Sequence, residues 1–209
     1  MKTYVKLLEK YERDLKKKFK KKGLTITVSG PAGSGKSTGA KAIAKALKLR
    51  YFYVGEIFRK MAKERKMSLE EFSEKREKEV DLEADKKTLE FAIKGGVVLD
   101  GRLTGWVAGD WADVKIYYDT PLEVRAERVA KRDKKSKEEA LEDIRKRDEE
   151  DNRKYKEIYK IDLFNKSIYD IIIDNSNFSL KDAKSIPVKL VREFLKVKGG
   201  KNKSNSDKL

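Results

Sequence analysis

The sequence predicts an α/β fold in which helices cover both faces of a five-stranded parallel sheet. Two observations support this class. Short β-branched and apolar segments alternate with longer helical patterns, and 209 residues suit one domain without internal repeats. The predicted strands are residues 24–29, 51–54, 97–100, 114–118 and 170–174.

The first predicted element is an amphipathic helix over about residues 3–22, which Gly23 ends. Lysines fill most of its surface, and its apolar side chains recur at helical spacing. We interpret it as a packing helix whose apolar side covers the sheet. The apolar stripe consists of Tyr4, Leu8, Tyr11, Leu15 and Phe19.

A helix rich in alanine and lysine is predicted to end near Leu47. Residues 55–94 have a mostly helical pattern with a break near Met67–Ser68, and Ser68–Glu71 has the form of a capping box. Gly95-Gly96 stops this region. It is too long for a simple crossover between two strands, so we interpret residues 55–94 as an inserted subdomain.

Two further helices follow the fourth strand. Thr120-Pro121 is predicted to open a helix that ends near Arg132, with the proline at the first helical position. Ser136–Glu139 is a second capping box, and it is predicted to start a helix that ends near Tyr159. A last helix over residues 180–196 completes the domain 24–196.

Composition excludes several kinds of chemistry. The chain has neither cysteine nor histidine, which excludes disulfides, thiolate or imidazole metal ligands, and cysteine or histidine catalysis. Catalysis would have to use Lys, Arg, Asp, Glu, hydroxyls and backbone amides. Because no apolar run approaches the ~20 residues that cross a bilayer, we expect a soluble, cytoplasmic protein.

Positive charge is concentrated at the two ends of the chain. The net charge is +16, of which residues 1–23 supply +7 and residues 196–209 supply +4. Residues 197–209 are rich in Gly, Asn, Ser and Lys, and we expect a disordered basic tail. The body between the ends is only mildly basic, which suits an enzyme that holds polyanionic ligands.

The segment after the first strand satisfies the pattern G-x-x-x-x-G-K-[ST]. It lies between a strand and a helix, so its backbone N–H groups and the helix N-terminus can surround phosphates. Lys36 is expected to reach the β- and γ-phosphates of ATP, and the Ser37 hydroxyl to bind Mg²⁺. The predicted ATP-binding residues are Gly30, Pro31, Ala32, Gly33, Ser34, Gly35, Lys36, Ser37 and Thr38.

The third predicted strand ends in Asp100. After a phosphate loop, an acidic residue at the end of a neighbouring strand is typical of the group that orients Mg²⁺ or its water shell. We therefore predict Ser37 and Asp100 as the residues of a magnesium site. The resulting architecture is the three-layer fold of P-loop nucleotide-binding proteins.

Arginines recur where loops and helices should meet the phosphate site. A GTP-binding switch is not indicated, because Asn165-Lys166-Ser167-Ile168 lacks the Asp of a guanine-reading N-K-x-D motif. Phosphoryl transfer needs positioning and charge stabilisation more than a general base, and guanidinium groups suit that task. The arginines are Arg59, Arg102, Arg125, Arg128, Arg132, Arg147 and Arg153.

From about Ile26 to Asn175 the chain resembles the cytidylate kinases, in particular the compact archaeal kind. The combination of G-x-I-[FY]-R, D-G-R and R-D-x-x-D carries this resemblance better than the widely shared phosphate loop does. The matching segments are Ser29–Thr38, Gly55–Arg59, Val98–Trp106, Val124–Arg132 and Arg147–Arg153.

The resemblance implies a nucleoside-monophosphate-kinase fold with a monophosphate-binding insert at 55–94 and a short lid at about 133–136. It implies that Arg59 and Arg102 grip the acceptor phosphate, that Arg147 and Asp151 contact CMP, and that Arg128 and Arg132 close over the phosphates. The substrates would be ATP with Mg²⁺, and CMP or dCMP, and we expect a monomer. The implied catalytic residues are Lys36, Arg128, Arg132 and Arg147, and the implied substrate-binding residues are Gly55, Arg59, Asp100, Gly101, Arg102, Arg147 and Asp151.

Some alternatives stay open at the level of sequence. Val54 precedes the G-x-I-[FY]-R glycine, where many relatives carry a small hydroxyl residue or alanine. A side-chain hydrogen bond from this position to the base is therefore not available, and UMP or AMP is an alternative acceptor. An ATP-regulated nucleic-acid-binding protein that uses the basic ends is the alternative from a different class.

Overall fold

The computed structural model describes residues 2–67, 71–72 and 78–206. Within these residues five parallel strands form one sheet in the order β2-β3-β1-β4-β5, which confirms the predicted sheet. The strands are β1 (Thr25–Ser29), β2 (Arg50–Tyr53), β3 (Val97–Asp100), β4 (Val114–Tyr118) and β5 (Ile171–Ile173).

Register places the carboxyl ends of the central strands at one edge. Val28 of β1 lies opposite Asp100 of β3 on one side and Ile116 of β4 on the other. β1 and β3 are buried along their whole length, as expected for parallel strands covered on both faces. The loops that follow β1, β3 and β4 therefore meet above the same edge.

Helices cover both faces of the sheet. α2 and α8 pack together on one face, where Ile43 and Val191 join Ile26, Val28 and Ile116 in the main core. On the other face, Ala92 of α4 and Ala108 of α5 pack on β3. The helices are α1 (Lys2–Lys18), α2 (Lys36–Leu47), α3 (Val54–Glu64), α4 (Lys78–Lys94), α5 (Thr104–Ala108), α6 (Leu122–Asp133), α7 (Lys137–Tyr159) and α8 (Leu180–Ser206), with a 3-10 turn at Gly109–Trp111.

The packing role of α1 is confirmed, but its partner differs from the prediction. Leu15 is buried against Leu89 and Ile93 of α4, with Tyr11 and Phe19 beside it, so α1 covers a helix and not the sheet. The side chain of Tyr4 lies outside the described residues. The helix ends at Lys18, earlier than the predicted residue 22. The chain turns towards β1 there, because Lys21 Nζ lies 2.6 Å from Asp113 Oδ2 and the Lys22 N–H donates to the Lys94 carbonyl.

Helix boundaries after β4 follow the prediction closely. The Ser136 capping box is present, because Ser136 accepts from the Glu139 N–H and Glu139 accepts from the Ser136 N–H. Pro121, however, is the N-cap of α6 with an extended ψ of 149°, and not its first helical residue. Its carbonyl accepts the first helical bond from the Arg125 N–H, so the helix begins one residue later than predicted.

The described part of the region predicted as an insert is helical except for the turn at residues 65–67. Val54 begins α3, although the sequence predicted it as the last residue of a strand. α3 ends at Glu64, which agrees with the predicted break near Met67–Ser68. Of the predicted capping box Ser68–Glu71, residues 68–70 lie outside the described residues.

The last helix corrects the prediction of a disordered tail from residue 197. α8 continues through Gly199-Gly200 to Ser206, about ten residues beyond the predicted end. Glycine lowers helix stability by roughly 1 kcal/mol relative to alanine, but it does not block the helical conformation. Lys198 Nζ holds the extension by donating to the Asp113 carbonyl at 2.7 Å. Across the described residues, no helix combines the length and apolar character that a bilayer span requires.

Gly39 allows α2 to lie directly against β4. A Cβ at this position would lie 1.8 Å from the Tyr118 hydroxyl and 2.9 Å from its ring carbon Cζ. Because Tyr118 is 1% exposed, its ring has no room to move away. We expect Gly39→Ala to lower the free energy of unfolding by about 1–3 kcal/mol, the usual cost of overpacking, as measured by urea denaturation.

Gly199→Ala is the matched control, because a Cβ there meets no described atom within 4 Å. It should leave stability unchanged or raise it slightly. The Tyr118 hydroxyl has no hydrogen-bond partner among the described residues, so adding Tyr118→Phe should recover part of the loss. A Gly39→Ala chain as stable as the wild type would contradict this packing.

Candidate active site

A cleft of about 600 Å³ opens at the carboxyl edge of the sheet. Its volume lies within the roughly 300–1,000 Å³ of small-molecule sites, and this edge is where open α/β sheets bind ligands. The segment after β1, the start of α3, the segment after β3, and helices α4, α6 and α7 all contribute to its walls. Residues from distant parts of the sequence therefore share one solvent-accessible space.

The segment between β1 and α2 has the backbone that phosphate binding requires. Gly33 and Gly35 have φ values of 75° and 80°, in the left-handed region that favours glycine. A Cβ at Gly33 would also lie 2.9 Å from the Arg125 carbonyl. α2 begins at Lys36, so its N-terminal N–H groups and positive dipole end face the cleft.

A carbonyl clamp made of Ser34, Thr120, Arg128 and Asn175 fixes this loop. Asn175 Nδ2 donates to the Ser34 carbonyl at 2.9 Å, and the Thr120 hydroxyl lies 3.1 Å from the same oxygen. Arg128 donates to Asn175 Oδ1 at 2.9 Å and to the Asn175 carbonyl at 2.7 Å. Asn175 is 2% exposed. The loop is thereby tied to the segments that follow β4 and β5.

Sequence analysis assigned no role to Thr120 side chain or to Asn175. Each lies two residues after the end of a strand, Thr120 after β4 and Asn175 after β5. A polar residue at such a strand end was the sequence feature that could have indicated their role. Parallel strands end at the same edge, where the phosphate loop also lies. The contact between Asn175 and Ser34 spans 141 residues, and no local motif encodes it.

Arg125 braces the loop from below. It is buried and donates to the Ala32 carbonyl at 3.1 Å, to the Thr120 carbonyl at 3.1 Å, and to Asp148 at 2.6 Å. It does not line the cleft. Arg125 therefore supports the phosphate loop, whereas the sequence left its role open.

Two buried carboxylates hold Arg102 at the cleft wall. Arg102 forms an ion pair with Asp151 and lies 3.2 Å from Asp148, and all three side chains are at most about 10% exposed. Arg102 and Asp151, which the resemblance placed at the acceptor, thus contact one another. Asp148 was not assigned from sequence, although it lies inside the R-D-x-x-D motif.

Lys36 lies in the phosphate loop among several charges. Its Nζ donates to the Pro31 carbonyl at 3.1 Å. Burial lowers the pKa of Lys36 from 10.5 to about 8, with Asp100 opposing the shift and Arg102 and Arg147 adding to it. A phosphate bound beside Lys36 would raise this pKa again, because a neighbouring negative charge stabilises the protonated amine.

Asp100 lies beneath the cleft with one oxygen engaged. Tyr51 of β2 donates to Asp100 Oδ2 at 2.6 Å, and burial together with this carboxylate raises the Tyr51 pKa. Asp100 Oδ1 is buried without a hydrogen-bond partner among the described residues. An anionic oxygen of this kind fits the water shell of a magnesium ion on phosphates near Ser37. Tyr51 is a further residue that sequence analysis missed.

The other arginines implied by the resemblance also reach the cleft. Arg59, Arg128, Arg132 and Arg147 all line it. Arg132 is exposed and pairs with its neighbour Asp133, whose pKa this contact lowers. Between α6 and α7 only residues 134–136 intervene, so the turn at about 133–136 is as short as predicted. Its movement as a lid stays a prediction.

Asp81, Asp85 and Tyr159 form a further part of the cleft lining, called here the acidic wall. Asp81 and Asp85 lie one turn apart on α4 and are 4% and 8% exposed. Tyr159 of α7 donates its hydroxyl hydrogen to Asp85. All three residues line the cleft. Sequence analysis assigned none of them to the site. The pattern of α4 resembles an ordinary charged helix, and Tyr159 was predicted only as the end of a helix.

Most residues implied for binding line this cleft. Val54 lines it as well, and a Cβ at Gly101 would approach Val54 Cβ to 3.1 Å, so the G-x-I-[FY]-R and D-G-R segments pack together. Gly30, Pro31, Ser34 and Asp100 are the implied residues that lie outside the lining. The residues brought to the lining are Ala32, Gly33, Gly35, Lys36, Ser37, Thr38, Gly55, Arg59, Gly101, Arg102, Arg128, Arg132, Arg147 and Asp151.

Known proteins resemble the chain in sequence and in fold. Residues 25–177 match the model of the cytidylate kinase-like family. A cytidylate kinase from Pyrococcus horikoshii is 49% identical over 158 residues, which cover 75% of this chain and 82% of the relative. One from Methanocaldococcus jannaschii is 45% identical, with 76% and 92% covered. A shikimate kinase from Bacteroides thetaiotaomicron has a TM-score of 0.56 at 17% identity, with 83% of this chain and 98% of that chain covered, which supports the fold.

Asn175→Ala tests the carbonyl clamp. The substitution removes the amide that donates to Ser34 and accepts from Arg128. We expect the free energy of unfolding to fall by about 1–3 kcal/mol, because a buried acceptor and a guanidinium lose their partner. Urea denaturation measures the change. Asn177→Ala is the control, since Asn177 is exposed in the same segment; equal effects of the two substitutions would argue against the clamp.

Proposed function

Because the chain belongs to the cytidylate kinase-like family, we propose that it transfers the γ-phosphoryl group of Mg²⁺-ATP to CMP and dCMP. One observation carries the proposal. The phosphate loop with Lys36 and the implied acceptor residues Arg59, Arg102, Arg147 and Asp151 line a single cleft. Donor and acceptor phosphates could therefore meet without leaving the protein surface.

The site suits catalysis by charge and position. Lys36 and the cleft arginines supply positive charge around the place where a phosphoryl group would pass between two nucleotides. Guanidinium groups bind phosphate oxygens in fixed, bidentate geometry. In-line transfer needs such stabilisation of the equatorial oxygens more than covalent chemistry. The acceptor phosphate is already anionic, so the reaction needs no histidine or other general base.

Magnesium fits the residues at the loop. Among the described residues no group of three or more carboxylates is arranged to hold a metal by itself. Mg²⁺ is commonly bound by one or two protein oxygens together with substrate phosphates. The Ser37 hydroxyl and the free oxygen of Asp100 would fill that role, and the ion would neutralise charge on the β- and γ-phosphates.

The acidic wall supports cytosine as the preferred base. The 4-amino group of cytosine needs a hydrogen-bond acceptor, and Val54 cannot provide one with its side chain. Asp81 and Asp85 line the cleft, and their carboxylate oxygens would be the acceptors. The same oxygens would repel the O4 atom of uracil, which is also an acceptor. We assign base selection to this wall.

Closure over the phosphates would complete the site. Arg132 and Lys135 border the cleft at the turn between α6 and α7. Movement of this turn towards the loop would bring their charges to the phosphates and exclude water, which favours transfer over hydrolysis. Arg128 is held by Asn175 within the carbonyl clamp, so it would act from a fixed position. We also propose that the enzyme is monomeric and cytoplasmic.

A nucleic-acid-binding role for the basic ends receives less support. The apolar stripe of α1 is used to pack on α4. Lys16 pairs with Glu12, and Lys21 pairs with Asp113. Both lysines thus have partners inside the chain, Lys16 on α1 and Lys21 in the segment that follows it.

The function is tested by ADP formation from Mg²⁺-ATP with CMP, dCMP, UMP, AMP and GMP offered separately. CMP and dCMP should give the highest kcat/KM. The kcat/KM of UMP should be at least about tenfold lower, because UMP loses one charged hydrogen bond. Asp81→Asn and Asp85→Asn should reduce the ratio of the kcat/KM for CMP to the kcat/KM for UMP. Equal rates with all acceptors would contradict the base assignment, and no turnover would contradict the proposed function.

The pKa of Lys36 predicts proton uptake on nucleotide binding. At pH 9 most Lys36 side chains are neutral, since the pKa is about 8, and a bound phosphate restores the charge. ATP binding should therefore take up close to one proton at pH 9 and few at pH 7. Titration calorimetry in buffers with different ionisation enthalpies measures this uptake.

Lys36→Arg is the control, because a guanidinium stays protonated at both pH values. Proton uptake at pH 9 should vanish in this variant, and its persistence would assign the proton to another group.

The same pKa makes stability depend on pH. Between pH ~8 and ~10.5 Lys36 is protonated in the unfolded chain but mostly neutral in the folded one, so its contribution makes stability rise with pH in that window.

A further inference from the structure

Asp148 is a buried carboxylate to which the proposed chemistry gives no direct role. Its two oxygens serve different partners. Oδ2 accepts a hydrogen bond from Arg125 Nη1 at 2.6 Å, and Oδ1 lies 3.2 Å from Arg102 Nη1. Asp148 is about 6% exposed, so solvent screens neither contact strongly. One carboxylate thus joins two guanidinium groups.

The two arginines connect Asp148 to two different parts of the site, the phosphate loop and the acceptor residues. Arg125 reaches the phosphate loop, where it donates to the Ala32 carbonyl at 3.1 Å. Arg102 lines the acceptor half and is also paired with Asp151. Asp148 is therefore the shared member of a continuous path from the acceptor residues to the backbone of the loop.

We propose that Asp148 is a positioning residue that couples the acceptor site to the phosphate loop through Arg102 and Arg125. The inference rests on the proposed function, since it takes Arg102 as a ligand of the acceptor phosphate. A phosphate bound to Arg102 competes with Asp148 for that guanidinium. Asp148 is then left more fully to Arg125, which holds the Ala32 carbonyl and keeps the loop in its phosphate-binding form.

The direction of the coupling follows from charge. Two arginines share Asp148, and an anion that engages one of them strengthens the hold of Asp148 on the other, because buried charges interact at low effective dielectric. Acceptor binding should therefore tighten ATP binding. By thermodynamic reciprocity, ATP should tighten acceptor binding by the same factor. The position of Arg125 outside the cleft means that neither nucleotide needs to touch it.

The test measures this coupling factor with Mg²⁺ and AMP-PNP, an ATP analogue whose β–γ bridge resists transfer. The Kd of AMP-PNP is determined by calorimetry without CMP and with saturating CMP. In the wild type, CMP should lower this Kd by roughly fivefold or more, the lower range of typical coupling. In Asp148→Asn the factor should fall below about twofold, because the neutral amide no longer serves two cations.

Arg125→Lys is the second variant, since it keeps the charge beside Asp148 but loses the planar fork that reaches the Ala32 carbonyl. It should also lose the coupling, and it decides the question if Asp148→Asn fails to fold. Glu157→Gln, an exposed position on the same helix, should keep the wild-type factor. Circular dichroism melts establish that each variant is folded.

The outcomes separate this inference from the proposed function. A purely structural role for Asp148 would lower the melting temperature or raise both Kd values while leaving their coupling factor unchanged, and that result would overturn the inference. A wild type that phosphorylates CMP without coupling would overturn it as well, while the kinase assignment stands. A wild type that neither binds nor phosphorylates CMP would overturn both.

Discussion

Burial lowers the pKa of Lys36, and the nearby Arg102 and Arg147 lower it further. This concentration of positive charge at one edge of the sheet is the constraint on which the rest of the site depends. Burial makes the repulsion costly unless carboxylates offset it. Asp148 and Asp151 pair with Arg102, so this arginine is held in place before any phosphate contributes its charge.

The sheet and its loops are arranged around that edge. β1 and β3 run in register, so the phosphate loop begins beside Asp100. The Ser34 carbonyl is tied to Asn175, and the Ala32 carbonyl to Arg125. A loop fixed from two sides can keep its N–H groups directed at phosphates without reorganising during transfer. The proposed closure would therefore act at the border of the cleft, where Arg132 is exposed.

Local patterns predicted the sheet, the phosphate loop and the arginine motifs, since each depends on residues that lie near one another in sequence. Features that depend on distant contacts were missed. Asn175 gains its role from a backbone oxygen 141 residues away, and Tyr51 from a carboxylate on the neighbouring strand. The end of α8 was predicted wrongly because residues 197–209 have the composition of a disordered tail, whereas the helix continues to Ser206 and Lys198 donates to the Asp113 carbonyl.

The central claim is that one cleft holds both nucleotides with their phosphates directed towards each other. A bisubstrate analogue in which five phosphates join adenosine to cytidine tests it most directly, with calorimetry as the measurement. We predict that one equivalent binds per chain, and that it then prevents the binding of both AMP-PNP and CMP. Binding of two equivalents, or displacement of only one of the two nucleotides, would contradict a shared cleft.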